Sequence, residues 1–251
     1  MEILNFDRIK GAFPKDSLLK VPNFIQNAIN YGDEVIKYPE KVLQNFLGIK
    51  ELKIRRNDVL FDITGKINAK KNDLGYINTK NIEETFVKFN TYGLMDIDIS
   101  KALKQSEIFI VDITKDLHLL DITPEEMIKS IKLSVLTSTD KLKVLSYEHQ
   151  GLMILPRGKT IKGSICFYNK GIELCSSKSS SRYTSIIGED FVQNANNILR
   201  CERHIYDKAT MRKAFNLPKS DSKIYLQKII NSQSNPIYET IQNFTQGKEL
   251  F

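Results

Sequence analysis

The chain has 251 residues, of which 41% are hydrophobic and 27% charged, an ordinary balance for a globular protein with a sizeable core. No run approaches the roughly 18 apolar residues of a membrane span. The N-terminus also lacks the charged, apolar and small-residue order of a signal peptide. We therefore expect a cytoplasmic protein with no membrane partner.

The net charge of +7 is unevenly placed along the chain. Residues 1–125 carry 18 basic and 19 acidic side chains, whereas residues 126–251 carry 19 and 11. A one-sided basic field attracts polyanions, so nucleic acid is the leading partner on charge alone. The three cysteines are an odd number without C-x-x-C spacing, which predicts free thiols and argues against a disulfide framework or a structural zinc.

The first half of the chain mixes helical and strand patterns. Two short helical segments, NFIQNAINYG and PEKVLQNFLG, end in glycine, and residues 1–50 are otherwise predicted to be a less regular N-terminal extension. ELKIRRNDVLFDITGKIN predicts a strand pair around Asn57-Asp58. TKNIEETFVKFNT has the apolar spacing of a helix, with a strand as the alternative. EIFIVDIT (107–114) predicts a strand.

The second half opens with a helix and continues with strands. TPEEMIKSIKLSVLTS has a threonine cap, a proline and two glutamates in its first turn. YEHQGLMILPRG and TIKGSICFYNKGIEL predict a strand pair, CSSKSSSRYTS a basic loop, NILRCERHIYD a strand and KATMRKAFNL a helix. This order predicts one α+β domain over residues 1–251, with a mostly antiparallel sheet, helices on one face and a polar active-site face on the other.

Alternate residues of a strand share a face. In GSICFYNK, Tyr168 and Lys170 are predicted to share a face opposite two apolar residues. In ILRCERHI, the corresponding polar set contains Arg200 and Glu202, and Asp112 ends the apolar series of FIVDIT. A solvated face is the simpler interpretation of this pattern, and a ligand-binding face is the alternative.

Three of these segments resemble motifs of the filamentous-phage gene II replication initiators and the related plasmid replication initiation factors. ILRCERHIYDKATMRKAFNLP resembles the family's arginine-x-glutamate strand and following helix. SICFYNKGIEL resembles its tyrosine-x-lysine strand with a downstream glutamate, and FIVDIT its aspartate strand. The motifs occur in the family's order within residues 55–220. Two positions depart from the pattern: Ile110 replaces a frequent arginine, and Cys201 replaces a bulkier apolar residue.

The resemblance implies a rolling-circle replication initiator, which nicks one DNA strand at an origin and rejoins the ends. It implies Tyr168 as the nucleophile with Lys170 beside it. It also implies that Mg²⁺ or Mn²⁺ is held by three carboxylates: Asp112, Glu173 and Glu202. The expected DNA-binding residues are Arg182, Arg200, Arg212 and Lys213. The expected partners are single-stranded or supercoiled origin DNA of a phage or plasmid, with a host helicase and polymerase. The oligomeric state is left open, a dimer being one option.

A tyrosine suits this reaction because its oxygen can attack phosphorus, hold the 5′ phosphate and free a 3′ hydroxyl for extension. A phenol has a pKa near 10, so a cation must favour the phenolate, and carboxylate oxygens suit Mg²⁺ or Mn²⁺. We expect Tyr168 to be open to solvent, with Tyr183 as a second candidate nucleophile. Two alternatives remain: a non-catalytic DNA-binding protein on the same scaffold, and a metal-dependent nuclease in which water attacks.

Overall fold

The computed structural model describes residues 4–31, 35–43, 45–46, 48–78, 82–138, 142–148, 151–156, 163–176, 181–232, 234–237 and 241. The strands in these ranges are β1 (Asn5–Pro14), β2 (Leu18–Lys20), β3 (Val35–Lys37), β4 (Ile49–Arg55), β5 (Asp58–Thr64), β6 (Ile77–Asn78), β7 (Asp96–Ile97), β8 (Glu107–His118), β9 (Leu142–Tyr147), β10 (Gly151–Pro156), β11 (Ile165–Asn169) and β12 (Ile198–Ile205). The helices are α1 (Asn23–Asn30), α2 (Glu40–Leu43), α3 (Ile82–Thr91), α4 (Ile99–Gln105), α5 (Pro124–Ser138), α6 (Lys170–Cys175), α7 (Ser181–Ile187), α8 (Glu189–Asn194), α9 (Lys208–Ala214) and α10 (Leu226–Asn231). None of these helices is long and apolar enough to span a membrane.

One large antiparallel sheet organises the chain. Its strand order is β3-β4-β5-β1-β8-β12-β11-β10-β9, with β6 beside β1. β1 and β8 are neighbours at the centre, and each is flanked by later strands of its own part of the chain. We call β1 and β3–β6 the first half of the sheet, and β8–β12 the second half. The predicted α+β fold with a mostly antiparallel sheet is confirmed.

The central position of β1 is the main difference from the sequence prediction. Residues 1–50 are not an extension, since β1 pairs with β5, β6 and β8. Its register against β8 shifts between Phe6 and Arg8 and again between Lys10 and Gly11. Such irregularities break the alternation of inward and outward side chains. A strand of this kind is therefore not predicted from a two-residue periodicity of apolar residues.

The two faces of the second half of the sheet are chemically different. Phe167, Leu199 and Ile205 belong to the main hydrophobic cluster, together with buried residues of α5 and α9. The residues that alternate with them are mostly polar and lie on the other face. Helices α6, α7 and α8 form a small second cluster with Ile198 at one end of that polar face. The prediction of helices on one face and polar residues on the other is therefore confirmed, with these three short helices as an addition.

Most other predicted elements are confirmed, namely α1, the β4–β5 hairpin, α3, β8, α5, the β10–β11 pair, β12 and α9. The cap of α5 is reciprocal: Glu126 N donates to Thr123 Oγ1 at 3.3 Å, and Thr123 N donates to Glu126 Oε2 at 2.9 Å. β9, which pairs with β10, was not predicted, and α7 begins inside the segment predicted as a loop. The connection between the two predicted strands, residues 157–162, lies outside the described residues.

Candidate active site

Strand register brings the polar side chains of β8, β11 and β12 onto one face. Cross-strand partners on this face are Tyr168 with Arg200, Cys166 with Glu202, Arg200 with Asp116, Glu202 with Thr114, and His204 with Asp112. Every one of these residues is buried or nearly so. Tyr168, Arg200, Glu202 and Asp112 therefore share one face of the sheet.

Tyr168 and Glu202 form a short hydrogen bond within this face. The Tyr168 hydroxyl donates to Glu202 Oε1 at 2.5 Å, and each residue is only 5% exposed. Tyr168 is thus not open to solvent, contrary to expectation. Burial, and then the charge of Glu202, raise the pKa of Tyr168 well above its ordinary value. Burial and the nearby Asp7 raise the pKa of Glu202 to about 7, against the lowering effect of Arg200. Glu202 is therefore placed to accept the phenolic proton near neutral pH.

Lys170 and Glu173 reach the same region from a helix rather than from a strand. β11 ends at Asn169, whose Oδ1 accepts a hydrogen bond from Ile172 N at 3.2 Å and caps α6. Lys170 is the first residue of α6, and its Nζ lies 2.6 Å from Glu173 Oε2. The strand prediction for this segment is wrong beyond Asn169. The helical turn brings Glu173 to the side of the sheet that carries Tyr168, which a continued strand would not do.

A cavity of about 320 Å³ lies beside these residues and draws its walls from both halves of the sheet. Its lining residues are Asp7, Gly48, Ile49, Lys50, Thr64, Lys66, Tyr168, Lys170, Glu173 and Tyr183. Tyr183 serves as wall, since it is 1% exposed and its hydroxyl donates to the carbonyl of Leu74. Asp7, Lys50 and Lys66 were not predicted. They lie more than 100 residues before Tyr168 in three separate segments, and no local pattern links them to it.

Arg200 has a structural place in the site. It is 1% exposed, and its Nε and Nη2 donate to Asp116 at 2.6 and 2.7 Å. Its Nη1 lies 3.2 Å from Asp7 Oδ1 and 4.0 Å from Glu202 Oε1. The prediction of Arg200 as a DNA contact is wrong, because a buried and fully engaged guanidinium is not available to a phosphate. It instead holds the carboxylates of Asp116 and Asp7.

Asp112 belongs to a neighbouring ion pair. His204 Nδ1 lies 2.7 Å from Asp112 Oδ1, and His204 Nε2 lies 3.3 Å from Cys166 Sγ. Burial lowers the pKa of His204, but the hydrogen bonds to Asp112 and Cys166 outweigh it and raise the pKa to about 11. The imidazole is therefore cationic at neutral pH, and Asp112 is its counter-ion.

The three carboxylates predicted to hold a metal have three different protein partners. Asp112 faces His204, Glu173 faces Lys170, and Glu202 accepts from Tyr168. Among the described residues, no three His, Cys, Asp or Glu side chains are grouped so as to hold a metal ion. A requirement for Mg²⁺ or Mn²⁺ stays a prediction, and an ion would have to displace at least one of these partners.

None of the remaining predicted DNA contacts lines the cavity. The Arg212 guanidinium donates from Nε to the carbonyl of Asp221 at 3.0 Å, so Arg212 supports the chain after α9. Lys213 is exposed, but α9 packs by Met211 into the main cluster, on the side of the sheet opposite the cavity. Arg182 is exposed on α7, next to the cavity wall residue Tyr183.

Comparisons of the chain with protein-family models, with curated proteins and with solved structures found no match.

Proposed function

We propose that the protein is a site-specific DNA nicking-joining enzyme that starts rolling-circle replication of a phage or plasmid, with Tyr168 as nucleophile. The observation that carries this proposal is the Tyr168–Glu202 hydrogen bond of 2.5 Å beside a cavity that Lys170 lines. A phenol with an ionisable acceptor and a neighbouring ammonium has the parts that covalent attack on a phosphodiester requires. The basic second half of the chain favours DNA as the substrate. A host helicase and polymerase in the cytoplasm would use the nicked product.

The proposed reaction uses the Tyr168 hydroxyl and its hydrogen-bond acceptor Glu202. Glu202 takes the phenolic proton as the Tyr168 oxygen attacks phosphorus, and the bond from phosphorus to the 3′ oxygen breaks. The 3′ oxygen leaves as a hydroxyl with a proton taken from water, and the 5′ phosphate stays on Tyr168. In the joining step a 3′ hydroxyl gives its proton to water as it attacks the same phosphorus, the tyrosine oxygen leaves, and Glu202 returns the phenolic proton to it.

A divalent ion remains part of the proposal. Mg²⁺ or Mn²⁺, when bound, would polarise the scissile phosphate. Glu173 and Glu202 are the acidic residues bonded to cavity side chains, and they would hold the ion; Asp112 is committed to His204. Assays with and without Mn²⁺ measure the contribution of the ion directly.

The test is formation of a covalent protein–DNA adduct. Wild-type protein is incubated with supercoiled circular DNA and with single-stranded oligonucleotides of randomised sequence, and denaturing gels detect the adduct. Tyr168→Phe should abolish both adduct and nicking, because a phenyl ring has no oxygen to attack with. Tyr147→Phe is the matched control, since its ring lies 6.0 Å from that of Tyr168 and the change is the same.

Each alternative has its own outcome. Cut DNA without an adduct in either protein would favour the metal-dependent nuclease. A mobility shift with neither cut nor adduct would favour a non-catalytic DNA-binding protein. An adduct that persists in Tyr168→Phe would exclude Tyr168 as the nucleophile.

A further inference from the structure

The cavity beside Tyr168 has more positive charge than the motif residues alone supply. Lys50 follows the first residue of β4, Lys66 lies in the 3-10 turn Gly65–Asn68, and Lys170 starts α6. All three line the cavity, against two carboxylates, Asp7 and Glu173. The lining side chains therefore have an excess of one positive charge.

The two carboxylates of the cavity are not paired with Lys50 or Lys66. Glu173 is bonded to Lys170, and Asp7 lies 3.2 Å from Arg200. In the part of the chain that the structure describes, neither Lys50 nor Lys66 has a carboxylate within ion-pair distance. Lys66 is half-buried, and its Nζ lies 5.0 Å from the centre of the Tyr183 ring. Burial lowers the pKa of Lys66, and the charges of Lys170 and Lys50 lower it further, against Glu173 and Asp7. An anion in the cavity would relieve this repulsion.

The segments that carry Lys50 and Lys66 are held together before any ligand arrives. Thr64 N donates to Gly48 O at 2.6 Å. Gly48 has a φ of +85°, and a Cβ there would lie 2.4 Å from Ile67 N, so only glycine allows the two segments to approach so closely. The two ammonium groups are thus carried by a prearranged corner of the first half of the sheet, opposite Tyr168 and Lys170.

We propose that Lys50, Lys66 and Lys170 form a phosphate-binding site that holds a DNA phosphate against Tyr168 without a divalent ion, and that Lys66 is its principal ligand. The identity of the phosphate as part of DNA rests on the proposed function; the anion site itself rests on the cavity. Lys66 enters from the first half of the sheet, so it contacts the phosphate from the side opposite Lys170.

The test measures binding in EDTA, where cleavage is not the readout. The probes are inorganic phosphate and a fluorescent single-stranded oligonucleotide. Lys66→Met keeps the length of the side chain and removes its charge, and it should weaken binding of both probes about tenfold, since a hydrogen bond to a charged group is worth at least that factor. Lys71→Met is the matched control, because Lys71 is exposed five residues away and loses the same charge. Lys66→Arg should retain most of the binding.

A second measurement on the wild-type protein needs no variant. An amine-acylating reagent followed by mass spectrometry reports the labelling rate of each lysine. Inorganic phosphate in EDTA should slow the labelling of Lys66 and leave Lys71 unchanged. Equal affinities of Lys66→Met and Lys71→Met, binding that needs Mn²⁺, or labelling of Lys66 that phosphate does not slow would each overturn the site.

These outcomes are separate from those that test the proposed function. An adduct that persists in Tyr168→Phe would show that Tyr168 is not the nucleophile, but it would not contradict a phosphate site formed by Lys66. If phosphate binding does not depend on Lys66 but Tyr168 still forms the adduct, the proposed nicking activity stands and only the role of Lys66 is contradicted.

Discussion

In the proposed reaction, the protonation of Glu202 decides whether Tyr168 can attack phosphorus. The carboxylate must be ionised to accept the phenolic proton, and its pKa is raised to about 7. We therefore expect the single-turnover rate of adduct formation to rise with pH and to level off above a midpoint near 7. Glu202→Gln should lose both the rate and this rising limb. A rate already at its plateau at pH 5 would show that another group accepts the proton.

The Asp112–His204 pair should act on stability rather than on metal binding. The folded pKa of His204 is raised to about 11 from 6.5, so the stabilisation is full below about pH 6.5 and is lost as the pH rises through 11. Asp112→Asn should lower the free energy of unfolding at pH 7 by about 3 kcal/mol, because it leaves a buried cation without its counter-ion. Urea unfolding of wild type and His204→Gln should give a difference that shrinks from pH 6 to pH 10. A constant difference would contradict the ion pair.

Among single residues, the alternation of the two strand motifs was sufficient to place Tyr168 and Glu202 on one face of the sheet, whereas Lys170 lies on a helix that the alternation did not predict. It was misleading for Arg200 and Asp112, since a strand pattern gives the face of a side chain but not its partner. Arg200 is bonded to its cross-strand partner Asp116, and Asp112 is bonded to its cross-strand partner His204. Such pairing depends on register between strands more than 80 residues apart, which one sequence does not reveal.

At the scale of elements, the start of α6 sets the position of Lys170. Asn169 caps the helix through Ile172 N, and its Nδ2 donates to Glu125 Oε1 at 2.9 Å and to Asn196 O at 3.1 Å. Asn169→Ala should therefore cost about 1 kcal/mol or more in stability and slow adduct formation. Asn169→Ser keeps a capping oxygen and should recover most of the capping contribution. Thermal unfolding and adduct rates are measured on both variants; equal rates would show that the cap does not position Lys170.

Elements with regular periodicity were predicted well, and irregular ones were not. The capped helix α5 and the strands β8 and β12 have clear patterns in the sequence. β1 is interrupted by two register shifts, and SICFYNKGIEL changes from strand to helix at Asn169 without a proline to mark the change. Asn169 itself was the available signal, because asparagine favours the N-cap position, immediately before the first helical residue.

For the whole molecule, the position of a basic residue relative to the sheet should decide its effect on DNA binding. Arg182 lies on α7 beside the cavity, whereas Lys213 lies on α9 on the helical side. Arg182→Glu should therefore weaken oligonucleotide binding more than Lys213→Glu, although both variants change the charge equally. Wild-type affinity should also fall steeply with salt as phosphates release counterions. Fluorescence anisotropy at several salt concentrations compares the two variants; a larger effect at Lys213 would place the DNA on the helical face.

The seam between β1 and β8 has a consequence for how this protein could change over generations. Asp7, Lys50 and Lys66 come from one side of the seam, and Tyr168, Lys170 and Glu173 from the other. A recombination event that exchanged only the C-terminal part would replace Tyr168 and its neighbours but keep the original Lys50 and Lys66. The new tyrosine would then lie beside lysines that had not changed together with it. The tyrosine is thus not a transferable module. New specificities would have to arise by paired substitutions on both sides of the seam, or by exchange of the sheet as a unit.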